Sequence, residues 1–96
     1  MINLKNNSIK YLVSHTFESC RDLKQINLDE NFIETIASFS FYRLPRIELI
    51  SLRNNRIRTI SNNAFFMINL QNNNVILTQN SNLSRISLYS FNYVKR

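Results

Sequence analysis

The sequence holds no glycine and no tryptophan, and only one proline and one cysteine in 96 residues. Without glycine there is no P-loop, no dinucleotide fingerprint and no other phosphate-cradling turn that depends on glycine's positive φ. One cysteine rules out a disulfide within the chain. His15 and Cys20 are the only strong soft ligands, and two do not make a zinc site. The longest apolar runs are far too short to span a bilayer. Asn3, Lys5 and Asn6 interrupt the N-terminal stretch that a signal peptide would need. Acid is also missing from one half: residues 1–48 carry six basic and all six acidic side chains, whereas residues 49–96 carry Arg53, Arg56, Arg58, Arg85, Lys95 and Arg96 alone. A basic half suits acidic proteins, glycosaminoglycan or phosphate backbones, and it serves equally as a solvated surface.

What the chain does contain is isoleucine, asparagine and a period. Apolar residues make up 44% of it, enough for one small core in a single domain. Twelve isoleucines and sixteen asparagines stand out, and the asparagines are the natural source of the left-handed turn conformations that glycine would otherwise supply. Leu23-x-x-Ile26-x-Leu28-x-x-Asn31-x-Ile33-x-x-Ile36, closed by Phe41 and Leu44, returns 24 residues later (47 − 23) as Ile47-x-x-Ile50-x-Leu52-x-x-Asn55-x-Ile57-x-x-Ile60, closed by Phe65 and Ile68. Ile2-x-Leu4-x-x-Asn7-x-Ile9-x-x-Leu12, with Phe17 and Cys20, is an earlier copy. A fixed period in this range signals the stacked coils of a solenoid.

A further copy can be placed in two registers. In one, Ile68-Asn69-Leu70-x-x-Asn73-x-Val75 opens a coil only 18 residues after Ile50 (68 − 50). In the other, Val75-x-Leu77-x-x-Asn80 is the strand, followed by Leu83, Ile86, Phe91 and Val94, with one residue inserted between strand and asparagine and another after the asparagine. The second keeps a closing phenylalanine and is preferred. Strands are then expected near residues 2–4, 25–28, 49–52 and 74–77, stacked about 4.8 Å apart. The returns, such as 34–46 and 58–70, should be irregular or form a helical turn. Pro45 falls in one of them, where a missing N–H costs no ladder bond.

Each recurring position has a physical task. Leucine and isoleucine point inward and touch their equivalents in neighbouring coils, each burial being worth about 1.5–3 kcal/mol. Asn7, Asn31, Asn55 and Asn80 follow the strand where the chain turns tightly, and an amide can satisfy both N–H and C=O groups there. Phe17, Phe41, Phe65 and Phe91 should form an aromatic column on the far side. Cys20 shares its position with Leu44, Ile68 and Val94, so it reads as a small buried hydrophobe rather than a nucleophile served by His15. Lys5, Asp29 and Arg53 share one position, and Lys10, Glu34 and Arg58 another; both columns alternate in sign and should form surface ion pairs.

The pattern resembles the 24-residue, phenylalanine-closed class of leucine-rich repeat, common in the extracellular domains of receptors and adhesion proteins. The resemblance implies an α/β-type solenoid of about four stacked coils, with a short parallel sheet on the concave face and irregular or short helical turns on the convex face. One domain would cover residues 1–96, in coils of about 1–22, 23–46, 47–71 and 72–96. Members usually carry cysteine-rich caps, which this sequence does not supply. A stack without caps exposes apolar ends, pointing to a fragment or to terminal oligomerisation.

The expected function is a non-enzymatic protein-binding module of a cell-surface or secreted receptor, with no catalytic residue, metal or cofactor. Its protein ligand would meet Asn3, Lys5, Gln25, Asn27, Asp29, Ser51, Arg53, Ile76 and Thr78, which flank the strand leucines; they offer no deep apolar pocket for a small molecule. Asn6-Asn7-Ser8 and Asn82-Leu83-Ser84 match the glycosylation sequon at Asn6 and Asn82. A second expectation is a cytoplasmic leucine-rich repeat scaffold or regulator. A third is binding of a polyanion, an acidic protein or glycosaminoglycan, through Arg43, Arg46, Arg53, Arg56 and Arg58. Specific nucleic-acid recognition is not expected, because no stacking aromatics interleave with those arginines.

Overall fold

The 24-residue spacing becomes backbone pairing. A computed structural model of the chain describes residues 1–66, 68, 74–81, 83, 85 and 86. Strands β1 (Ile2–Asn3), β3 (Gln25–Asn27), β5 (Leu49–Ser51) and β7 (Asn74–Ile76) form one parallel sheet in that order. Ile2 lies beside Ile26, Ile26 beside Ile50, and Ile50 beside Val75. The strands stop one residue short of the expected leucine, but the pairing continues. The N–H groups of Leu4, Leu28 and Leu52 donate to the carbonyls of Asn27, Ser51 and Ile76 in the next coil, at 2.8, 2.8 and 2.9 Å.

The last rung takes the second of the two registers, with Val75 and not Ile68 opposite Ile50. The first extra residue, however, lies ahead of β7 rather than between strand and asparagine. Val75 follows Ile50 by 25 residues (75 − 50), and Asn80, whose amide serves Leu52 as Asn55 serves Leu28, follows Asn55 by the same 25 (80 − 55). The second extra residue does follow the asparagine, since Ile86 pairs with Ile60 at 26 (86 − 60).

The returns depart from expectation. They begin not with a helical turn but with a second parallel sheet, β2 (Tyr11–Leu12), β4 (Thr35–Ile36), β6 (Thr59–Ile60) and β8 (Arg85–Ile86). Among the described residues there is no helix; the rest of each return is a run of turns. The cause is the period itself. Thr-Ile recurs at 35–36 and 59–60, both isoleucines are buried, and two residues in register with the coil above suffice to close ladder bonds that no single coil could make.

The core lies between the two sheets and the turns. Ile26, Leu28, Ile33, Ile36, Phe41 and Leu44 in one coil, and Ile50, Leu52, Ile57, Ile60, Phe65 and Ile68 in the next, are all but fully buried. Phe17, Phe41 and Phe65 stack face to face at 5.5 and 5.2 Å, with interplanar angles of 13° and 2°. Phe91 and Val94, the last expected members of these columns, lie outside the described residues. A second aromatic group, His15, Phe39, Tyr42 and Phe66, packs over the turns with centroids 5.3–5.9 Å apart.

Candidate functional site

Alternation along the first sheet turns Ile26 and Ile50 inward and leaves their neighbours on the outer face. Of the residues expected there, Asn3, Lys5, Gln25, Arg53 and Thr78 are exposed, and Asn27 and Ile76 are half-buried. Asp29 and Ser51 are buried, which corrects their place among the ligand-facing residues. The Ser51 hydroxyl donates to Asp29 Oδ1 at 2.6 Å, and the Arg53 N–H donates to the same oxygen at 2.9 Å. Asp29 is thus committed to holding β3 and β5 in step, and only its second oxygen looks outward, 4.0 Å from Arg53 Nη1. Asn3 and Asn27 each accept the N–H two residues on, from Lys5 and Asp29, in the local turn that asparagine favours.

The outer face also holds a residue absent from the expected set. Leu49 pairs with Gln25 across the sheet and is half-exposed. The signal lay in its register with Gln25, masked because leucine in this motif is read as core. Leu49 and the half-exposed Ile76 give the sheet two apolar contacts among exposed Gln25, Arg53 and Thr78.

The charge columns form only in part. Arg53 reaches Asp29, and Arg58 Nη2 lies 3.3 Å from Glu34 Oε1. Lys5, however, meets Glu30 at 3.8 Å rather than Asp29. The five arginines proposed for polyanions fall into two places. Arg43 lies over the Tyr42 ring and Arg46 beside Asp22, both on a return. Arg53, Arg56 and Arg58 lie along one coil over Asp29, Phe32 and Glu34 of the coil before, Arg56 being 4.6 Å from the Phe32 ring centroid.

The asparagine ladder is a set of directed bonds. Asn31 Nδ2 donates to Leu28 and Asp29 in its own coil and to Leu4 in the previous one, while its Oδ1 accepts the N–H groups of Asn7 and Ile9. Asn55 repeats this on Leu28, Leu52, Arg53 and Ile33, and Asn80 on Leu52, Leu77, Thr78 and Ile57. Asn6 is exposed; Asn82 lies outside the described residues. His15 is held by Glu18 at 3.1 Å and by the Phe39 and Tyr42 rings, and Cys20 packs against the core. Among the described residues no three His, Cys, Asp or Glu side chains group to hold a metal ion, and no helix is long and apolar enough to cross a membrane. An open polar groove of about 280 Å³ lies on the turns, lined by Glu18, Ser19, Arg21, Tyr42 and Arg43.

Two parallel sheets, with an asparagine ladder linking successive coils, are consistent with a solenoid of stacked repeats. The family model of the BspA type leucine rich repeat region matches residues 1–96 in 6 copies. The chain belongs to this family. No curated protein and no solved structure matches it.

Proposed function

We propose that the chain is a non-enzymatic protein–protein interaction module and that its ligand is a protein bound on the outer face of the first sheet. Leucine-rich repeats generally mediate contacts between proteins, and the observation that carries the assignment to this face is the pairing of half-exposed Leu49 and Ile76 with exposed Gln25, Arg53 and Thr78. Apolar anchors ringed by exposed polar side chains are the composition of a recognition surface. Lys5, Asn3 and Asn27 extend the polar rim toward the N-terminal side. In this reading the module belongs to a cell-surface or secreted receptor, glycosylated at Asn6 or Asn82 when made in a secreting cell.

The experiment compares proteins captured by the immobilised chain with those captured by a Leu49→Glu, Arg53→Glu variant and by a Tyr42→Ala variant on the turns. A ligand of the sheet is kept by the Tyr42 variant and lost by the other. Identical capture by all three contradicts the assignment. A ligand found on the cytosolic side, with no glycan added at either sequon on secretion, favours the cytoplasmic scaffold instead.

A second reading, polyanion binding, is supported by the charge balance. Asp22, Asp29, Glu30 and Glu34 each have a lysine or arginine partner, while Lys10, Arg21, Lys24, Arg43 and Arg56 have no carboxylate within reach among the described residues. Heparin retention that drops on Arg56→Glu and falls steeply with salt would support it; retention unchanged by Arg56→Glu would not.

A further inference from the structure

We propose that the groove on the turns, lined by Glu18, Ser19, Arg21, Tyr42 and Arg43, binds a tetrahedral oxyanion, phosphate or sulfate, free or as the monoester of a small molecule. The groove lies apart from the outer face of the first sheet and from Arg53, Arg56 and Arg58, and the proposal rests on neither reading given above.

The first observation is that the groove is a seam between two returns. One wall is Glu18, Ser19 and Arg21; the other is Tyr42 and Arg43, which follow Glu18 and Ser19 by one period of 24 (42 − 18, 43 − 19). Each coil contacts only its neighbours, so both walls are set by the stacking of these two coils on one another. The second wall is fixed from behind. The Tyr42 ring packs on Phe66 at 5.9 Å and meets His15 and Phe39 edge-on, each at 5.3 Å, while the Arg43 N–H donates to the Phe66 carbonyl at 3.2 Å. Arg43 Cζ lies 5.9 Å from the Tyr42 ring centroid, so its guanidinium rests on a ring that is already held.

The second observation is charge. Arg21 and Arg43 are exposed, and neither has a carboxylate within reach among the described residues. The carboxylates nearest them in sequence are drawn elsewhere: Glu18 Oε1 lies 3.1 Å from His15 Nδ1, and Asp22 Oδ1 lies 3.7 Å from Arg46 Nε. Two guanidiniums that line one groove repel each other, and a shared anion converts that repulsion into attraction.

The donor set selects the anion. Each guanidinium presents a planar fork that matches two oxygens, and Ser19 and Tyr42 each add a hydroxyl to the lining. A carboxylate is satisfied by one such fork, whereas phosphate or sulfate has oxygens enough for both. A volume of about 280 Å³ is at the small end of ligand sites, the size of one esterified sugar rather than of a polymer.

Titration of the full chain with inorganic phosphate, glucose 6-phosphate, glucose 6-sulfate and plain glucose, followed by NMR of the arginine side-chain N–H groups, tests this. The anions should shift Arg21 and Arg43 saturably and leave Arg56 unmoved, with glucose silent. Arg21→Gln and Arg43→Gln should each weaken binding about tenfold and together abolish it. Both side chains are exposed, so the circular-dichroism spectrum should not change, and Arg56→Gln should bind as the parent does. Esters that bind more tightly than inorganic phosphate assign the groove to a monoester; equal binding assigns it to the free oxyanion. No saturation by any of the three anions, equal shifts at Arg56, or binding that survives the double substitution overturns the proposal.

Discussion

Asn31 and Asn55 are buried amides whose every bond goes to the backbone, so removing one strands peptide groups that water cannot reach. Asn55→Ala leaves the Ile33 N–H without its partner inside the stack and takes from the Leu28 carbonyl one of its two amide donors, Asn31 being the other. The expected loss is about 3 kcal/mol by urea denaturation, and Asn7→Ala, which removes an exposed side chain bonded only to its own coil, should cost less than about 1 kcal/mol. Equal losses at the two sites would contradict a ladder that gains its strength between coils. The left-handed positions follow a different logic. Nine of the described residues have φ between 55° and 73°, and of these Asn6, Asn54 and Asn63 are asparagine. His15, Ser19, Glu30, Phe39, Arg43 and Gln79 hold the rest; residues 6, 15 and 19 of the first coil recur as 30, 39 and 43 in the second, whatever residue occupies them. The sequence was misleading on this point because coil geometry imposes the turn; at Phe39 contacts to His15, Tyr42 and Phe66 outweigh the backbone strain. Gln79 is exposed with no such contact, so Gln79→Gly should raise stability by up to about 1 kcal/mol, whereas Phe39→Gly should lower it. Thermal midpoints of the two variants, moving in opposite directions, check this.

Two kinds of element hold the coils in step, and they were not equally legible. The first sheet and the phenylalanine column could be read directly through the first three coils, because inward leucines and closing phenylalanines recur there at a strict 24-residue spacing, whereas the irregular fourth coil left two registers open. The second sheet could not, since a strand of two residues has no alternation of its own and exists only through its neighbour. Asp29 was misread for a similar reason: its charge marked it as surface, and only the Ser51 hydroxyl and Arg53 N–H of the adjacent strand explain its burial. Within the column, Phe41 is sandwiched between Phe17 and Phe65 and is fully buried. Phe41→Ala should therefore cost about 3–5 kcal/mol in denaturant unfolding. Between β3 and β5 the ion pair is the lesser term. Arg53→Ala should change stability by at most about 1 kcal/mol, the range of an exposed pair, while Asp29→Ala should cost about 2 kcal/mol by orphaning the hydroxyl and the N–H. The Asp29 effect should also persist in high salt, which screens the pair but not the hydrogen bonds.

At the scale of the whole molecule each coil contacts only its neighbours, so stability is a sum of coil terms and interface terms. A central coil contributes two interfaces and an outer coil one. Leu28 and Leu52 are fully buried between coils, whereas Leu4, on the N-terminal rung, is covered from one side. Leu52→Ala should then cost about 2–5 kcal/mol and Leu4→Ala distinctly less, although the side chain removed is the same. Hydrogen exchange gives the sharper measurement. The Leu28 and Leu52 N–H groups bond onward in the middle of the first sheet, and the Leu4 N–H does so at its edge. In the monomer, protection should fall from Leu28 to Leu4 because the outer rung opens without disturbing the rest. Equal protection at Leu4 and Leu28 would show that the coils open together rather than one rung at a time.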